Sequence, residues 1–290
     1  MKDHKEIDDI SGVETTQHEW DGIKELNNPL PRSWLWGLYG TILFSIGYTI
    51  VYPAWPGITT NTKGIWNWSS RGELATEMTK VEESRQVLGD QLVSVELEDV
   101  SQNPDLLQFA VNGGQSAFKV YCSQCHGSGA NGGTIYPSLI DDDWIWGGTL
   151  EDIYLTLQHG IRYEQDDDTR LSEMPRYGAD ELLERDEIVD VAWYVRQMSG
   201  QEFDAEAAAR GQTVFADNCA ACHGEKGEGI RELGAPNLSD AIWFYGNTHE
   251  QIVAQISDPK QGVMPGWTGR LSEVTIRQLT HYVHSLGGGE

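Results

Sequence analysis

Apolar side chains run without a single charge through residues 33–52, SWLWGLYGTILFSIGYTIVY. At a rise of about 1.5 Å per residue this is about 30 Å of helix, one hydrocarbon thickness. Trp34, Trp36, Tyr52 and Trp55 cluster at its two ends as interfacial anchors, and Pro53 and Pro56 stop it. The span lies too far in, behind acidic residues and without a small-residue cleavage site, to be a removable signal peptide. It predicts an uncleaved anchor over 33–56. Gly37, Thr41, Ser45 and Thr49 recur every four residues along it, a stripe on which a second membrane helix could pack.

The remaining pattern is of apolar residues interspersed with charge in helix-length segments. Residues 1–32 are polar and acidic and predict an extended or partly disordered tail. Residues 57–111 read as a connector. Its segment 64–68, GIWNW, is expected at the membrane surface or against a partner, a helix follows over 70–97, and Asn103-Pro104 caps a short helix to 111. Helices are then expected over 112–121, 150–158 and 180–198, and again over 205–218, 248–256 and 272–286. The chain length suits about two domains.

Those two sets of helices belong to a repeat. GQSAF at 114–118 returns as GQTVF at 211–215, an offset of 97. Pro137, Leu139, Trp144, Gly147, Thr149 and Ile153 match Pro236, Leu238, Trp243, Gly246, Thr248 and Ile252 at an offset of 99. Met174-Pro175 matches Met264-Pro265 at 90, and Tyr194-Val195 matches Tyr282-Val283 at 88. Changes of offset mark loop insertions. The fold class is therefore mainly α: one N-terminal transmembrane helix, then two tandem copies of one helical domain, 112–200 and 201–290.

The only four cysteines make the two domains cytochrome c-like. Cys122-Ser-Gln-Cys125-His126 and Cys219-Ala-Ala-Cys222-His223 are both C-x-x-C-H, the attachment pattern of c-type haem. Two thiols add to the vinyl groups of one porphyrin, and the next histidine becomes the proximal iron ligand. A redox dithiol or half a zinc site also uses C-x-x-C, but neither explains two copies of a whole domain. Of five methionines, only Met174 and Met264 occupy equivalent repeat positions, so they are the expected sixth ligands; Met198 reads as core. Ligation within each repeat is the default expectation, and an exchange between packed domains leaves the same pattern. Two covalently bound haem c groups are implied, held by Cys122, Cys125, His126, Met174, Cys219, Cys222, His223 and Met264.

Charge narrows the partners. A formal net charge of −25 excludes nucleic acid. Residues 101–200 carry 17 acidic against 6 basic residues, and 201–290 carry 12 against 6, so if acid steers a basic redox partner, the first domain is the expected docking face. The acid runs 141–143 and 164–168 otherwise read as solvated loops. Lys24 and Arg32 balance Lys63 and Arg71 across the span. Orientation therefore rests on haem attachment, which in bacteria occurs outside the cytoplasmic membrane. The remaining histidines are His4, His18, His159, His249, His281 and His284. His281 and His284 share a helix face without a third ligand, and surface or haem-propionate contact is expected of them. No catalytic triad, P-loop or dinucleotide fingerprint is visible, so no catalytic residue is assigned.

The tail HEWDGIKELNNPLPRSW, the span ending VYPAWPG and the two C-x-x-C-H domains with Met-Pro partners together resemble the dihaem CcoP or FixP subunit of cbb3-type cytochrome c oxidases. The resemblance covers nearly the whole chain. It implies a single-pass protein of the bacterial inner membrane, with its N-terminus cytoplasmic, its haem domains periplasmic and its anchor in lipid. It also implies electron relay from a soluble or membrane donor cytochrome c to a monohaem cytochrome c subunit. Electrons then reach the haem–copper catalytic subunit, where oxygen is reduced and protons are pumped. Some members have a second membrane helix, which is not evident here. A free-standing tethered shuttle and a dihaem peroxidase are the alternative readings.

Overall fold

A computed structural model describes residues 6–287, so Met1 and His4 lie outside the described residues. The described residues divide between Ser84 and Arg85 into two compact units.

The first unit opens on a hairpin, β1 (Thr15–Trp20) paired antiparallel with β2 (Ile23–Leu26). This corrects the expectation of an extended tail. Asp21 and Gly22 both take positive φ, 47° and 83°, the conformation a two-residue hairpin turn needs, and Asp-Gly supplies it at low cost. Helix α1 (Arg32–Val51) is the predicted span, and none of its residues is buried. A helix that is apolar all round with no protein over it is built for lipid. Thr41, Ser45 and Thr49 turn their hydroxyls back onto carbonyls of their own helix, at 2.8, 2.8 and 2.9 Å, so none is left unsatisfied there. Past the prolines the chain doubles back. The Ile65 N–H donates to Ile50 O at 3.1 Å, and Tyr52 meets the edges of Trp66 and Trp68. The GIWNW segment thus thickens the aromatic belt at one end of the span.

Helix α2 (Ser70–Ser94) leads into the second unit, where Leu92, Val100, Leu106 and Ala110 form a small core with Val274 against it. Helix α3 (Pro104–Tyr121) starts under the Asn103 side chain, which accepts from the Asp105 and Leu106 N–H groups. It runs unbroken through residues 112–114, where the sequence suggested a boundary. Gly114 is needed because another helix lies directly on it: a Cβ there would meet Gln278 O at 2.0 Å. The other elements are α4 (Ser123–His126), α5 (Leu150–His159), α6 (Arg185–Met198), α7 (Ala205–Asn218), α8 (Ala220–His223), α9 (His249–Ser257) and α10 (Glu273–His284). The expected helix over 180–198 begins later, at Arg185, because the Glu187 carboxylate accepts the Glu184 N–H at 2.9 Å and fixes the start there.

Helix packing does not follow the repeats. Helix α3 lies against α10, and α7 against α6; α5 joins α10 and α9 joins α6. One core therefore gathers Phe118, Ile153 and Leu157 of the first repeat with Ile276, Leu279 and Val283 of the second. The other gathers Ile188, Val191 and Val195 of the first with Phe215, Ile252 and Ile256 of the second. Equivalent contacts occur twice: Phe118 on Tyr282 at 5.4 Å between ring centres, and Phe215 on Tyr194 at 5.4 Å. The two tandem repeats of the sequence thus exchange their last helices. The expected division at 200/201 separates the repeats but not the cores.

Candidate haem sites

Each C-x-x-C-H segment is a single helical turn at the end of a longer helix. The Cys122 carbonyl accepts from the Cys125 and His126 N–H groups at 3.1 and 3.0 Å, and the Cys219 carbonyl from Cys222 and His223 at 3.1 and 2.9 Å. That turn puts the two thiols on one side, with the histidine one residue further round. Gly127 and Gly224 end the two turns with φ of 79°. Burial, and then the neighbouring cysteine, push the Cys122 and Cys219 thiols up to about 11, while Cys125 and Cys222 are exposed.

The imidazoles are held alike. His126 Nδ1 lies 3.0 Å from Pro137 O, and His223 Nδ1 lies 3.0 Å from Pro236 O. A carbonyl only accepts, so Nδ1 carries the proton and Nε2 keeps its lone pair for a metal. Burial depresses both histidines, opposed by these hydrogen bonds, which favours the neutral, ligating form.

Both motifs and both methionines line one continuous cavity. Met264 packs on the core that holds Cys122, and Met174 on the core that holds Cys219. Two contacts fix this arrangement. Met264 exchanges backbone hydrogen bonds with Ile161, at 2.9 and 3.0 Å, just beyond α5. Tyr177, three residues past Met174, donates its hydroxyl to Asn218 O at 2.7 Å, directly before Cys219. Each recess thus joins two thiols, a neutral imidazole, a thioether and apolar walls, the donor set that fits haem c.

Two basic residues of the cavity wall went unnoticed in the sequence. Arg162 and Lys260 both line it, three residues after the ends of α5 and α9. Carrying the repeat comparison across those loops would have paired them. Asp143, expected in a solvated acid run, is instead half-buried and lines the cavity, its carboxyl pushed up to about 6 by burial, then by Asp240 and Asp141, with Arg231 opposing. Its repeat equivalent is Ile242, so no repeated signal marked it.

The spare histidines lie apart. His281 is 4 % exposed, against the expectation of a surface or propionate role; it is buried on α10, its Nε2 has no hydrogen-bond partner, and burial, then His284 and Arg277, push it down to about 4. His249 stacks on Trp193 at 3.8 Å and faces Val189 O, and His18 stacks on Trp20. His159 contacts Asp166 at 3.1 Å, in a group with Asp168 whose ligand atoms lie within 4.8 Å of one another.

A family profile described as the N-terminal domain of cytochrome oxidase-cbb3, FixP, matches residues 12–59. A second, for cytochrome c oxidase, cbb3-type, subunit III, matches twice, at 109–195 and 206–283. Among curated proteins, the cbb3-type cytochrome c oxidase subunit FixP of Rhizobium meliloti is 49% identical over 287 residues, 99% of each chain. The subunit CcoP of Cereibacter sphaeroides is 51% identical over 276 residues, 95% of each. FixP of Bradyrhizobium diazoefficiens is 48% identical over 297 residues, spanning both chains completely.

Proposed function

The chain belongs to the FixP and CcoP family, the cytochrome c electron-relay subunits of cbb3-type oxidases, and we propose that it relays through two haem c groups with exchanged axial methionines. Cys122 and Cys125 hold the first haem, with His126 and Met264 on its iron. Cys219 and Cys222 hold the second, with His223 and Met174. The observation that carries this is the pairing within each core, Cys122 with Met264 and Cys219 with Met174.

Haem c supplies an iron that changes by one electron, at a potential raised by thioether ligation. The chain's own part is to keep each site fixed while the charge changes. Pro137 and Pro236 orient the imidazoles, and the apolar walls exclude water. With imidazole and thioether on both irons, no position is left for peroxide or oxygen. This favours relay over the dihaem peroxidase, and oxygen chemistry then belongs to a partner.

The donor is a soluble or membrane cytochrome c. The acceptors are the monohaem subunit and, beyond it, the haem–copper subunit. Helix α1 anchors the chain in the bacterial inner membrane, with the hairpin on the cytoplasmic side and both haem lobes periplasmic. Two measurements test this. Intact-mass analysis of the purified chain should show two added haems. Gentle detergent extraction from native membranes should recover it stoichiometrically with a haem–copper subunit and a monohaem cytochrome. Recovery alone, with both haems in place, would mean a tethered shuttle instead.

A further inference from the structure

The two methionine straps, residues 172–174 and 261–264, run side by side, and one side chain binds both. Arg162 donates from Nε to Gly262 O at 2.7 Å and from Nη1 to Ser172 O at 3.1 Å. Gly262 lies two residues before Met264, and Ser172 two residues before Met174. Arg162 is itself well anchored. Its N–H donates to Arg170 O at 2.9 Å, and its neighbour Ile161 is the residue that pairs with Met264 in both directions. Its backbone sits at φ 50°, a conformation costly for a residue with a Cβ and kept only where the surroundings impose it. A second tie runs between the straps, from the Met174 N–H to Gln261 Oε1 at 3.3 Å.

The chemistry suits arginine and no other residue. A planar guanidinium offers several donors in a fixed fork and stays charged, so it can hold two carbonyls in different directions at once. Lysine presents one nitrogen on a flexible stem. Neither carbonyl belongs to the same lobe as the other strap's methionine, so this fork spans the exchange itself.

We propose that Arg162 is a shared positioning residue for both axial methionines, coupling the two haem sites mechanically. This rests on the exchanged ligation proposed above. Loosening the fork releases both straps together, and a change of strap position at one iron is felt at the other through the same side chain. Coupling of this kind is reciprocal.

The experiment uses the full-length, haem-loaded protein in detergent. Two quantities are read: the near-infrared charge-transfer band of methionine-ligated ferric haem, and the two midpoint potentials from spectroelectrochemical titration. Met174→Ala and Met264→Ala come first, and each should abolish the band and strongly lower the potential at one haem, with a smaller shift at the other through the shared fork. Arg162→Gln should then weaken the band and lower the potential at both haems. The methionine-off population should rise about tenfold at each, the size of losing one charge-assisted hydrogen bond. Arg162→Lys keeps the charge and the stem, and guards against simple misfolding of the glutamine variant. With one nitrogen it should leave both haems partly altered. Arg170→Gln is the local control, because Arg170 donates to Trp146 O and Asp152 rather than to either strap. It should leave the His223 haem unchanged.

If the methionine variants each abolish the band at one haem while the Arg162 variants alter only one haem or neither, the shared clamp is wrong. If the methionine variants alter neither haem, the ligation reading fails first and takes the clamp with it.

Discussion

Asp143 shows how a single residue can carry a penalty the fold tolerates. Its carboxyl is raised from 3.8 to about 6 by burial and by the Asp240 and Asp141 carboxylates nearby. The unfolded chain releases this proton near 3.8, whereas the folded chain holds it until about pH 6. Stability therefore falls as pH rises through that window, and the deficit persists at neutral pH. Asp143→Asn should raise the melting temperature of the haem-loaded protein at pH 7 and leave it nearly unchanged at about pH 4. An equal shift at both pH values would mean that charge is not the cause. The residues assigned from chemistry alone behave differently. Cys122, Cys125, His126 and their repeat equivalents were legible as candidates because two thiols at that spacing, followed by imidazole, form the pattern that attaches and ligates haem c. Arg162 was not, because its partners lie 10 and 100 positions away, at Ser172 and Gly262, and no local pattern records such a meeting.

At the scale of elements, the two glycine crossings set how closely the helices approach. A Cβ on Gly211 would meet Asp190 O at 2.1 Å, as one on Gly114 would meet Gln278 O. Backbone cannot swing aside as a side chain can. Gly211→Ala should cost about 1–3 kcal/mol, the usual penalty of overpacking, read as a lower melting temperature. Gly133→Ala, with nothing within 4 Å, should change it by no more than about 0.5 kcal/mol. Helix positions were largely readable because caps and apolar spacing are local: Asn103, Thr149, Asp204, Thr248 and Ser272 all cap the helices they precede. The hairpin at Thr15–Leu26 was missed for a physical reason as well. Polar composition argued for disorder, while the decisive signal was two residues, Asp21-Gly22, whose left-handed backbone turns the chain.

For the whole molecule, the exchange of α6 and α10 means that neither repeat closes on itself. Residues 1–200 and 201–290, produced separately, should each lack a protease-resistant haem lobe, and co-expression of the two pieces should restore both. Independent folding of either piece would contradict the exchanged cores. The sequence could not decide this. Internal matches identify equivalent helices but not which copy of each packs on which. Only the contacts discriminate, such as Phe118 with Tyr282 and Phe215 with Tyr194.

The same exchange orders events during synthesis. A chain made from its N-terminus exposes Cys122 and Cys125 about a hundred residues before Cys219 and Cys222. The second recess, however, needs nothing beyond α9, because α6, α7 and α8 already precede it. The first recess waits for Met264 and α10, almost the last residues to be added. The site whose cysteines appear first is therefore the last to be closed, and a truncation near the C-terminus strikes the recess built around Cys122.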